Sequence, residues 1–542
     1  MTLDSSQPVG TRLAAIDVGT NSIRLIVAEV ENDGTYRVLD EEREMTRLGR
    51  GLSALGRLSD EAMERSLDAI GKMKAISDGF QVRELRAIAT SAVRESVNGR
   101  AFCREAARRH HLSIEVISSD EEARLAFRSV VKNFNLEGRA AAIVDIGGGS
   151  TEVILAAGTV IDRIHSLSLG AICLSERYCL SDPLRPKHRK RLRKEIHRVI
   201  NRGIGKPSFT ADCMVGSGGT FCTLADMVQC QRSGRTGPVQ GYLMTRTEIV
   251  RLLDRLLEMP LETRRQLPGL NPARADIIIA GVAVVERIAD VLGCNQILVN
   301  DRGIRDGLLQ SMIGDQAGRQ MSDPAPAADR MDAVRLLAQK CRSNQQHCQH
   351  VARLADMMFD ELCGRFNLPP AGREILLAAA WLHETGYLIH FSQHHKHAYH
   401  LIMHGELPGF SAREIELIAN VARYHRRALP KKSHNTFRRL DRPERRLVRQ
   451  LAGILRVANS LDRTHSQSVT GLRCESSNGL LRLVVEGASD PQVEIWDAER
   501  NARLFENAFD ARLELVWRAD LDEQTALPLR PLVPEESQRV RA

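Results

Sequence analysis

Residues 15–22 of this chain are Ala-Ile-Asp-Val-Gly-Thr-Asn-Ser, and residues 143–150 are Ile-Val-Asp-Ile-Gly-Gly-Gly-Ser. Each stretch continues into a second apolar run, 23–27 in one case and 151–155 in the other. Each therefore predicts two β-strands joined by a tight turn of glycine and hydroxyl residues. Because aspartate, glycine and serine recur at the same positions, the repeat predicts two related half-domains whose matching turns face one ligand.

The composition of these turns indicates which ligand they hold. Small residues let backbone N–H groups approach closely, and hydroxyl side chains add further donors. The carboxylates of Asp17 and Asp145 suit a hard divalent cation. The sequence therefore predicts a phosphate site with its metal. An ordinary tight turn is the alternative for 147–149, and the matching spacing of the partner hairpin disfavours it.

Length and composition bound the class of protein. With 542 residues, of which 43% are hydrophobic, the chain is expected to form roughly three globular domains. Its longest apolar run, Ile277–Val285, is too short to cross a membrane, and the N-terminus lacks the apolar stretch of a signal peptide. The 11 cysteines form no Cys-x-x-Cys pair, which argues against a disulfide framework. We therefore expect a cytoplasmic protein.

Positive charge is concentrated in two runs. The net charge is +8, and residues 185–198 and 423–449 are both strongly basic. A solvated helix face is the alternative explanation for either run alone. Two such runs beside a phosphate site favour a polyanionic partner. Nucleic acid is a weaker candidate, because only 4% of residues are aromatic and stacking residues are what strand-binding proteins use.

Strands alternate with helices up to about residue 312, which predicts an α/β architecture, and a helix is expected over 273–292. Residues after 332 are predicted to be almost entirely helical, and short strands return at 480–487, 492–498 and 511–517. The expected organisation is given by these boundaries: 1–135 (first lobe), 136–313 (second lobe), 314–331 (linker), 332–468 (helical domain) and 469–542 (small α+β domain and tail).

Three further motifs carry candidate chemistry in the first half. Residues 215–220 (Val-Gly-Ser-Gly-Gly-Thr) form another glycine turn between a strand and a helix. Arg94 follows a hydroxyl pair at a strand end and could clamp a phosphate as a bidentate donor. Three acids, 120–122, begin a helix. Favourable placement at the positive end of the helix dipole is their simplest explanation, but a phosphate site also needs a base.

These motifs, taken in order, resemble the long form of the exopolyphosphatase/guanosine pentaphosphate phosphohydrolase family. The resemblance rests on AIDVGTNSIRLIV, AIATSAVRES, ISSDEEARLAF, VDIGGGSTEVIL, GSGGTFCTLADM and NDRGIRDGLL. It implies a two-lobed actin/sugar-kinase/heat-shock ATPase-like (ribonuclease H-like) domain, followed by an all-helical HD-like domain and a small C-terminal α+β domain. It also implies a homodimer.

The resemblance implies an enzyme that releases terminal phosphate from inorganic polyphosphate, with guanosine pentaphosphate as a further candidate substrate. It places the catalytic carboxylate at Glu122, with Glu121 as the nearest competitor. Mg²⁺ is expected at Asp17 and Asp145, with Glu152 as a further candidate. The predicted phosphate-binding residues are Gly19, Thr20, Asn21, Ser22, Arg94, Gly147, Gly148, Gly149, Ser150, Gly218 and Gly219.

The second half contains a degenerate metal motif. His347, His383-Glu384 and Asp462 follow the order of HD-type metal phosphohydrolases, with His397 and His425 as possible supplements. Glutamate replaces the expected aspartate at 384, which favours a scaffold without its metal because metal sites need accurate ligand geometry. A second hydrolytic centre formed by these residues remains the alternative. For the whole chain, the alternatives are an ATPase or kinase of the same superfamily and a non-catalytic polyphosphate or nucleotide sensor.

Overall fold

The computed structural model describes residues 11–31, 35–205, 210–320, 330–390, 393–477, 479–487 and 490–519. The chain divides into two compact units, residues 1–329 (unit 1) and 330–542 (unit 2). The expected polar N-terminus and the tail at 526–542 lie outside the described residues. No described helix combines the length and the apolar character needed to cross a membrane.

The first half of unit 1 is built on a five-stranded sheet. Its strand order is β3-β2-β1-β4-β5, in which β1 runs antiparallel to β2 and parallel to β4. The elements are β1 (Thr11–Val18), β2 (Ile23–Val30), β3 (Tyr36–Glu44), α1 (Leu52–Leu55), α2 (Asp60–Gly79), β4 (Glu84–Ala89), α3 (Ser91–Glu95), α4 (Gly99–His110), β5 (Ile114–Val116) and α5 (Ser119–Asn133).

The second half of unit 1 repeats this topology. Its sheet has the order β10-β11-β9-β6-β7-β8, so β8-β7-β6-β9-β11 reproduces the order and strand directions of the first sheet. The elements are β6 (Ala140–Ile146), β7 (Thr151–Ala157), β8 (Val160–Leu167), α6 (Ala171–Tyr178), α7 (Pro186–Gly203), β9 (Cys213–Ser217), α8 (Gly219–Ser233), β10 (Leu243–Thr245), α9 (Arg246–Glu258), α10 (Leu261–Arg265), α11 (Ile278–Val291), β11 (Gln296–Asn300) and α12 (Gly303–Gln320). The duplication predicted from the two hairpins is therefore confirmed in the sheets.

Two helices join the halves. Helix α5 packs Ala123, Phe127 and Val130 onto the second sheet, whereas its Leu125 packs with α12 and the first sheet. The two helices cross closely, since a Cβ on Gly307 of α12 would lie 1.9 Å from the Leu125 carbonyl oxygen. The boundary expected at 135/136 therefore does not separate the packing of the two lobes.

Two local expectations differ from the structure of unit 1. The helix expected over 273–292 is a 3₁₀ turn at Pro272–Arg274 followed by α11. The expected linker at 314–331 is helical at both described ends, because α12 continues to Gln320 and the next helix begins at Arg330. Residues 321–329 lie outside the described residues.

Unit 2 is helical with a small three-stranded sheet of order β12-β13-β14. Its elements are α13 (Arg330–Lys340), α14 (Gln345–Phe366), α15 (Ala371–Leu382), α16 (His394–His404), α17 (Ala412–Arg423), α18 (Asn435–Arg438), α19 (Arg442–Ser460), β12 (Gly471–Ser477), β13 (Leu480–Gly487), α20 (Gln492–Asn501), α21 (Arg503–Phe509) and β14 (Arg512–Ala519), with a 3₁₀ turn at Thr385–Leu388.

The strand expected at 492–498 is wrong, because this segment forms α20. Its apolar residues are not buried in alternation: Val493 and Trp496 are exposed. Glu494 and Ala498 are the buried positions, and their spacing of four residues is that of one helix face. Tertiary packing has overridden the alternating pattern of the sequence.

Candidate active site

The two predicted turns face each other in a cleft of unit 1. In each turn the glycine N–H donates to the serine carbonyl, from Gly19 to Ser22 at 3.2 Å and from Gly147 to Ser150 at 3.0 Å. A Cβ added to Gly148 would lie 2.8 Å from Thr20 Cβ. The turns therefore meet at a distance that excludes a side chain, and both line one cleft.

A third glycine turn lies over Asp145. Gly218, between β9 and α8, has a φ of 92°, and a Cβ there would lie 2.7 Å from Asp145 Oδ1. Both the left-handed backbone and the close approach require glycine at this position. The glycine turn predicted at 215–220 therefore forms part of the cleft wall.

Two aspartates, half-buried Asp17 and buried Asp145, occupy equivalent positions on the two hairpins. Asp17 pairs across its hairpin with Arg24, whereas Asp145 pairs with Glu152. Burial raises the pKa of Asp17, and the Arg24 charge opposes that rise. Burial and the neighbouring Asp17 charge raise the pKa of Asp145 to about 6. The duplication is therefore asymmetric in charge, with arginine on one hairpin and glutamate on the other.

Glu122 is the acid that helix α5 directs into the cleft. The helix starts at an N-cap, where Ser118 Oγ accepts a hydrogen bond from the Glu121 backbone N–H. Glu122 is buried and lines the cleft, whereas Glu121 is exposed. Burial raises the pKa of Glu122 to about 7, against the opposing charge of Arg94. The geometry therefore favours Glu122 over Glu121 as the carboxylate that meets a substrate.

The carboxyl groups fit a divalent cation. Burial, followed by the charges of Glu122 and Asp145, raises the pKa of Glu152 well above its usual range. Asp17 Oδ1 is buried and has no hydrogen-bond partner among the described residues. Oxygen ligands that repel one another in a buried site are the donor set that Mg²⁺ prefers.

Arginines that the sequence did not single out surround these acids. They are Arg24, Arg274, Arg302 and Arg305. Burial and the charges of Arg43 and Arg24 lower the pKa of Arg274 to about 9, and burial and Arg24 also lower that of Arg305. The Nε atoms of Arg274 and Arg305 lack hydrogen-bond partners among the described residues. Such a cluster of buried like charges indicates an anionic ligand. Arg302 and Arg305 belong to the sequence motif at 300–309. Arg274 is distant from that motif in the chain, and folding brings it to the same cleft.

Most of the predicted site residues do line this cleft, and two do not. Those that line it are Asp17, Gly19, Thr20, Asn21, Ser22, Glu122, Asp145, Gly147, Gly148, Gly149, Ser150, Gly218 and Gly219. Arg94 instead donates from Nη1 to Glu122 Oε2 at 2.9 Å and to the Ile117 carbonyl at 3.0 Å. Glu152 is buried behind the cleft, where Ser166 Oγ donates to its Oε1 at 3.1 Å. Arg94 thus holds the acid through Nη1, while its Nη2 is buried without a hydrogen-bond partner among the described residues, so its expected phosphate contact stays a prediction.

The histidine motif of unit 2 is assembled, but differently from expectation. His347 Nδ1 lies 2.7 Å from Asp462 Oδ2. Asn459 Oδ1 lies 3.2 Å from His347 Nε2 and 2.8 Å from His383 Nε2. Asn459, which the sequence reasoning missed, therefore sits between the two imidazoles, and Asp462 orients His347 from the other side.

Comparisons with known proteins agree with this geometry. Residues 26–316 match the model of the Ppx/GppA phosphatase family, and residues 330–490 match Ppx/GppA phosphatase, domain III. Exopolyphosphatase 2 of Mycobacterium tuberculosis is 32% identical over 317 residues, which are 56% of this chain and 99% of that relative.

Solved structures of this family are also similar to this chain. An exopolyphosphatase from Cytophaga hutchinsonii is 28% identical with a TM-score of 0.53, and the match covers 56% of this chain and 98% of that one. The Aquifex aeolicus family member is 29% identical with a TM-score of 0.50, at 56% and 98% coverage. With a duplicated actin-like fold, paired glycine turns and matches along both units, this chain belongs to the Ppx/GppA phosphatase family.

Proposed function

We propose that this protein is a Mg²⁺-dependent exopolyphosphatase that hydrolyses the terminal phosphoanhydride bond of inorganic polyphosphate. The observation that carries the proposal is the buried Glu122 carboxylate, which lines the same cleft as both glycine turns. A phosphohydrolase needs a base beside the phosphate to activate the attacking water, and Glu122 is placed to be that base. The M. tuberculosis relative carries the name of this activity.

Glu122 acts as the general base. Its pKa of about 7 lies near neutral pH, where a base combines the correct protonation state with useful strength. Glu122 orients a water molecule and accepts its proton as the water oxygen bonds to the terminal phosphorus. The bridging P–O bond breaks, and the shortened chain departs as the leaving group. Arg94, bonded to Glu122 Oε2, positions the base.

The turns and acids hold the reacting phosphate. Backbone N–H groups of residues 20–22 and 148–150, with the Ser22 and Ser150 hydroxyls, cradle the terminal phosphate. Asp17 and Asp145 would hold Mg²⁺, with Glu152 supporting them from behind. A bound ion would neutralise the charge that develops on the phosphoryl oxygens. Phosphoryl transfer depends mainly on positioning and electrostatics, so these groups suffice.

The arginines set the substrate class. Arg24, Arg274, Arg302 and Arg305 line the cleft beside its acids, and they offer donors at more positions than one phosphate occupies. A chain of phosphates satisfies several of them at once. Guanosine pentaphosphate, which ends in a phosphate chain, is a second candidate substrate by the same argument. The free thiol state of the 11 cysteines fits the cytoplasmic location we propose, and the proposed homodimer awaits a measurement of mass in solution.

Glu122→Gln tests the proposal. We expect phosphate release from long-chain polyphosphate to fall by about 10²–10⁴-fold, the usual contribution of a general base, while polyphosphate binding persists. The matched control is Glu121→Gln, which removes the exposed neighbouring carboxylate and should leave the rate unchanged. Normal hydrolysis by Glu122→Gln would refute the assignment. Release of ADP from ATP at a higher rate would favour an ATPase or kinase, and binding without turnover by the wild type would favour a sensor.

A further inference from the structure

Unit 2 contains a second basic pocket, independent of the cleft in unit 1. It is lined by four arginines (Arg426, Arg427, Arg463 and Arg500) and by three carboxylates (Glu384, Asp462 and Asp497). Among the described residues, no carboxylate lies within ion-pair distance of Arg427, Arg463 or Arg500. Guanidinium groups that share a concave surface without anionic partners are poised for an anion.

A buried arginine builds the loop that carries two of these side chains. Arg456 is 5% exposed. Its guanidinium donates to the carbonyl of Tyr424 at 2.9 Å and to those of Arg427 and Ala428 at 3.2 and 3.5 Å. Arg427 is held there with a φ of 58°. A non-glycine residue keeps this conformation only where its surroundings enforce it, so the loop is fixed rather than adaptable.

The histidines beside this pocket do not converge on a metal. His347, Glu384 and His465 each offer one ligand atom, and these atoms lie within 4.8 Å of one another. However, the rings of His347 and His465 stack at 3.9 Å with an interplanar angle of 4°. Nitrogen lone pairs lie in the ring plane, so parallel stacked rings do not point at one ion.

Asn459 also competes for the remaining lone pairs. His347 Nδ1 faces the Asp462 carboxylate and His383 Nδ1 faces the Ala380 carbonyl, at 2.7 Å each. Both Nδ1 atoms therefore carry a proton. Burial lowers the pKa of His347, but the Asp462 hydrogen bond and the Glu384 charge outweigh it and raise that pKa. The Asn459 amide group lies between the two Nε2 atoms and hydrogen-bonds to both. The floor of the pocket is thus closed by hydrogen bonds.

We propose that this pocket binds a nucleoside polyphosphate through its phosphate groups. The arginines would take the phosphates, as bidentate donors suited to such oxygens. The Tyr387 ring packs against the His394 ring with centroids 3.9 Å apart, and it lines the pocket with 37% exposure, so its exposed part can contact a base. Asp497 and Glu384, also on the lining, can accept hydrogen bonds from the amino groups of a purine. An inorganic phosphate chain would use the arginines alone.

Binding by the full-length protein in EDTA tests the proposal. Without divalent cations the cleft of unit 1 loses its metal, whereas the arginine pocket needs none. The probes are the N-methylanthraniloyl derivatives of GTP and ATP, followed by fluorescence anisotropy, with inorganic tripolyphosphate as competitor. We expect saturable binding that Arg463→Ala or Arg427→Ala weakens by at least about tenfold, the usual effect of losing a charge-assisted bond. Both side chains are exposed, so neither variant should unfold.

Two controls locate the site. Arg446→Ala removes an exposed arginine of the same unit outside the pocket and should leave binding unchanged. Arg24→Ala alters the cleft of unit 1 and should also leave it unchanged. Loss of binding in Arg24→Ala with retention in Arg463→Ala would overturn the proposal, as would binding that appears only with added Zn²⁺ or Mn²⁺. Tripolyphosphate that binds as tightly as the nucleotides would overturn the nucleoside part. None of these readouts depends on phosphate release by Glu122.

Discussion

Replacing Asp145 by asparagine should stabilise the cation-free protein at alkaline pH. Burial and the Asp17 charge raise the pKa of this carboxyl from 3.8 to about 6. Since the folded state holds the proton more tightly than the unfolded state, ionisation of Asp145 opposes folding. The penalty is absent below about pH 4 and complete above about pH 6. Asparagine keeps the shape of the side chain and removes the charge.

The expected size follows from the pKa. At about 1.4 kcal/mol for each tenfold change in proton affinity, a pKa raised from 3.8 to about 6 corresponds to a penalty of roughly 3 kcal/mol. For a unit of about 300 residues this equals about 5 °C in Tm. At pH 8 in EDTA, Asp145→Asn should therefore melt about 5 °C above the wild type. Mg²⁺ should raise the Tm of the wild type by mass action and should do little for the variant.

The assay must separate the two units. All three tryptophans, at 381, 496 and 517, lie in unit 2, so their fluorescence follows unit 2 and serves as an internal control. Scanning calorimetry then records the melting of both units. The transition that shifts while the tryptophan fluorescence transition stays in place belongs to unit 1. Asp120→Asn, at an exposed acid near the start of α5, is the matched control. The reasoning fails if Asp145→Asn is no more stable than the wild type in EDTA at pH 8, or if Mg²⁺ stabilises both equally.

Three further results are expected. Arg274→Ala should raise KM for polyphosphate by about 10–100-fold, because it removes a buried charge-assisted donor, whereas the exposed Arg251→Ala should not; equal KM values would contradict the anion role. In denaturant unfolding, Gly307→Ala should destabilise unit 1 by about 1–3 kcal/mol, because the added methyl group overpacks against α5. The control Gly314→Ala lies in the same helix at a position where a Cβ meets nothing within 4 Å, and it should stabilise unit 1 slightly. A Gly307→Ala variant as stable as the wild type would contradict the close crossing of α5 and α12. Asn459→Asp should give unit 2 a measurable affinity for Co²⁺ by absorption spectroscopy, because a carboxylate then replaces the bridging amide; equal Co²⁺ binding by the wild type would contradict the closed floor.

The sequence predicted best those parts of the site whose residues are adjacent in the chain. A glycine turn, its aspartate and the strands around it are adjacent in the chain, so the repeat at 17–22 and 145–150 was visible without the fold. Helix α5 was also predictable, because the three acids at 120–122 are typical of a helix start. The choice between Glu121 and Glu122 was not settled by these residues themselves, since both carry the same carboxyl group. Burial distinguishes them, and burial depends on which face of α5 meets the second sheet.

What the sequence determined by itself was the duplicated α/β fold and the two facing glycine turns, for which it predicted a phosphate site. Hydrophobic period, turn composition and repeated spacing are properties of neighbouring residues, and they survive without tertiary contacts. Only the tertiary structure decided where Arg274 lies, that Arg94 holds Glu122, and that Asn459 separates His347 from His383. Each of these pairings joins residues far apart in the chain. Their distances, charges and pKa values arise from packing, which no local pattern encodes.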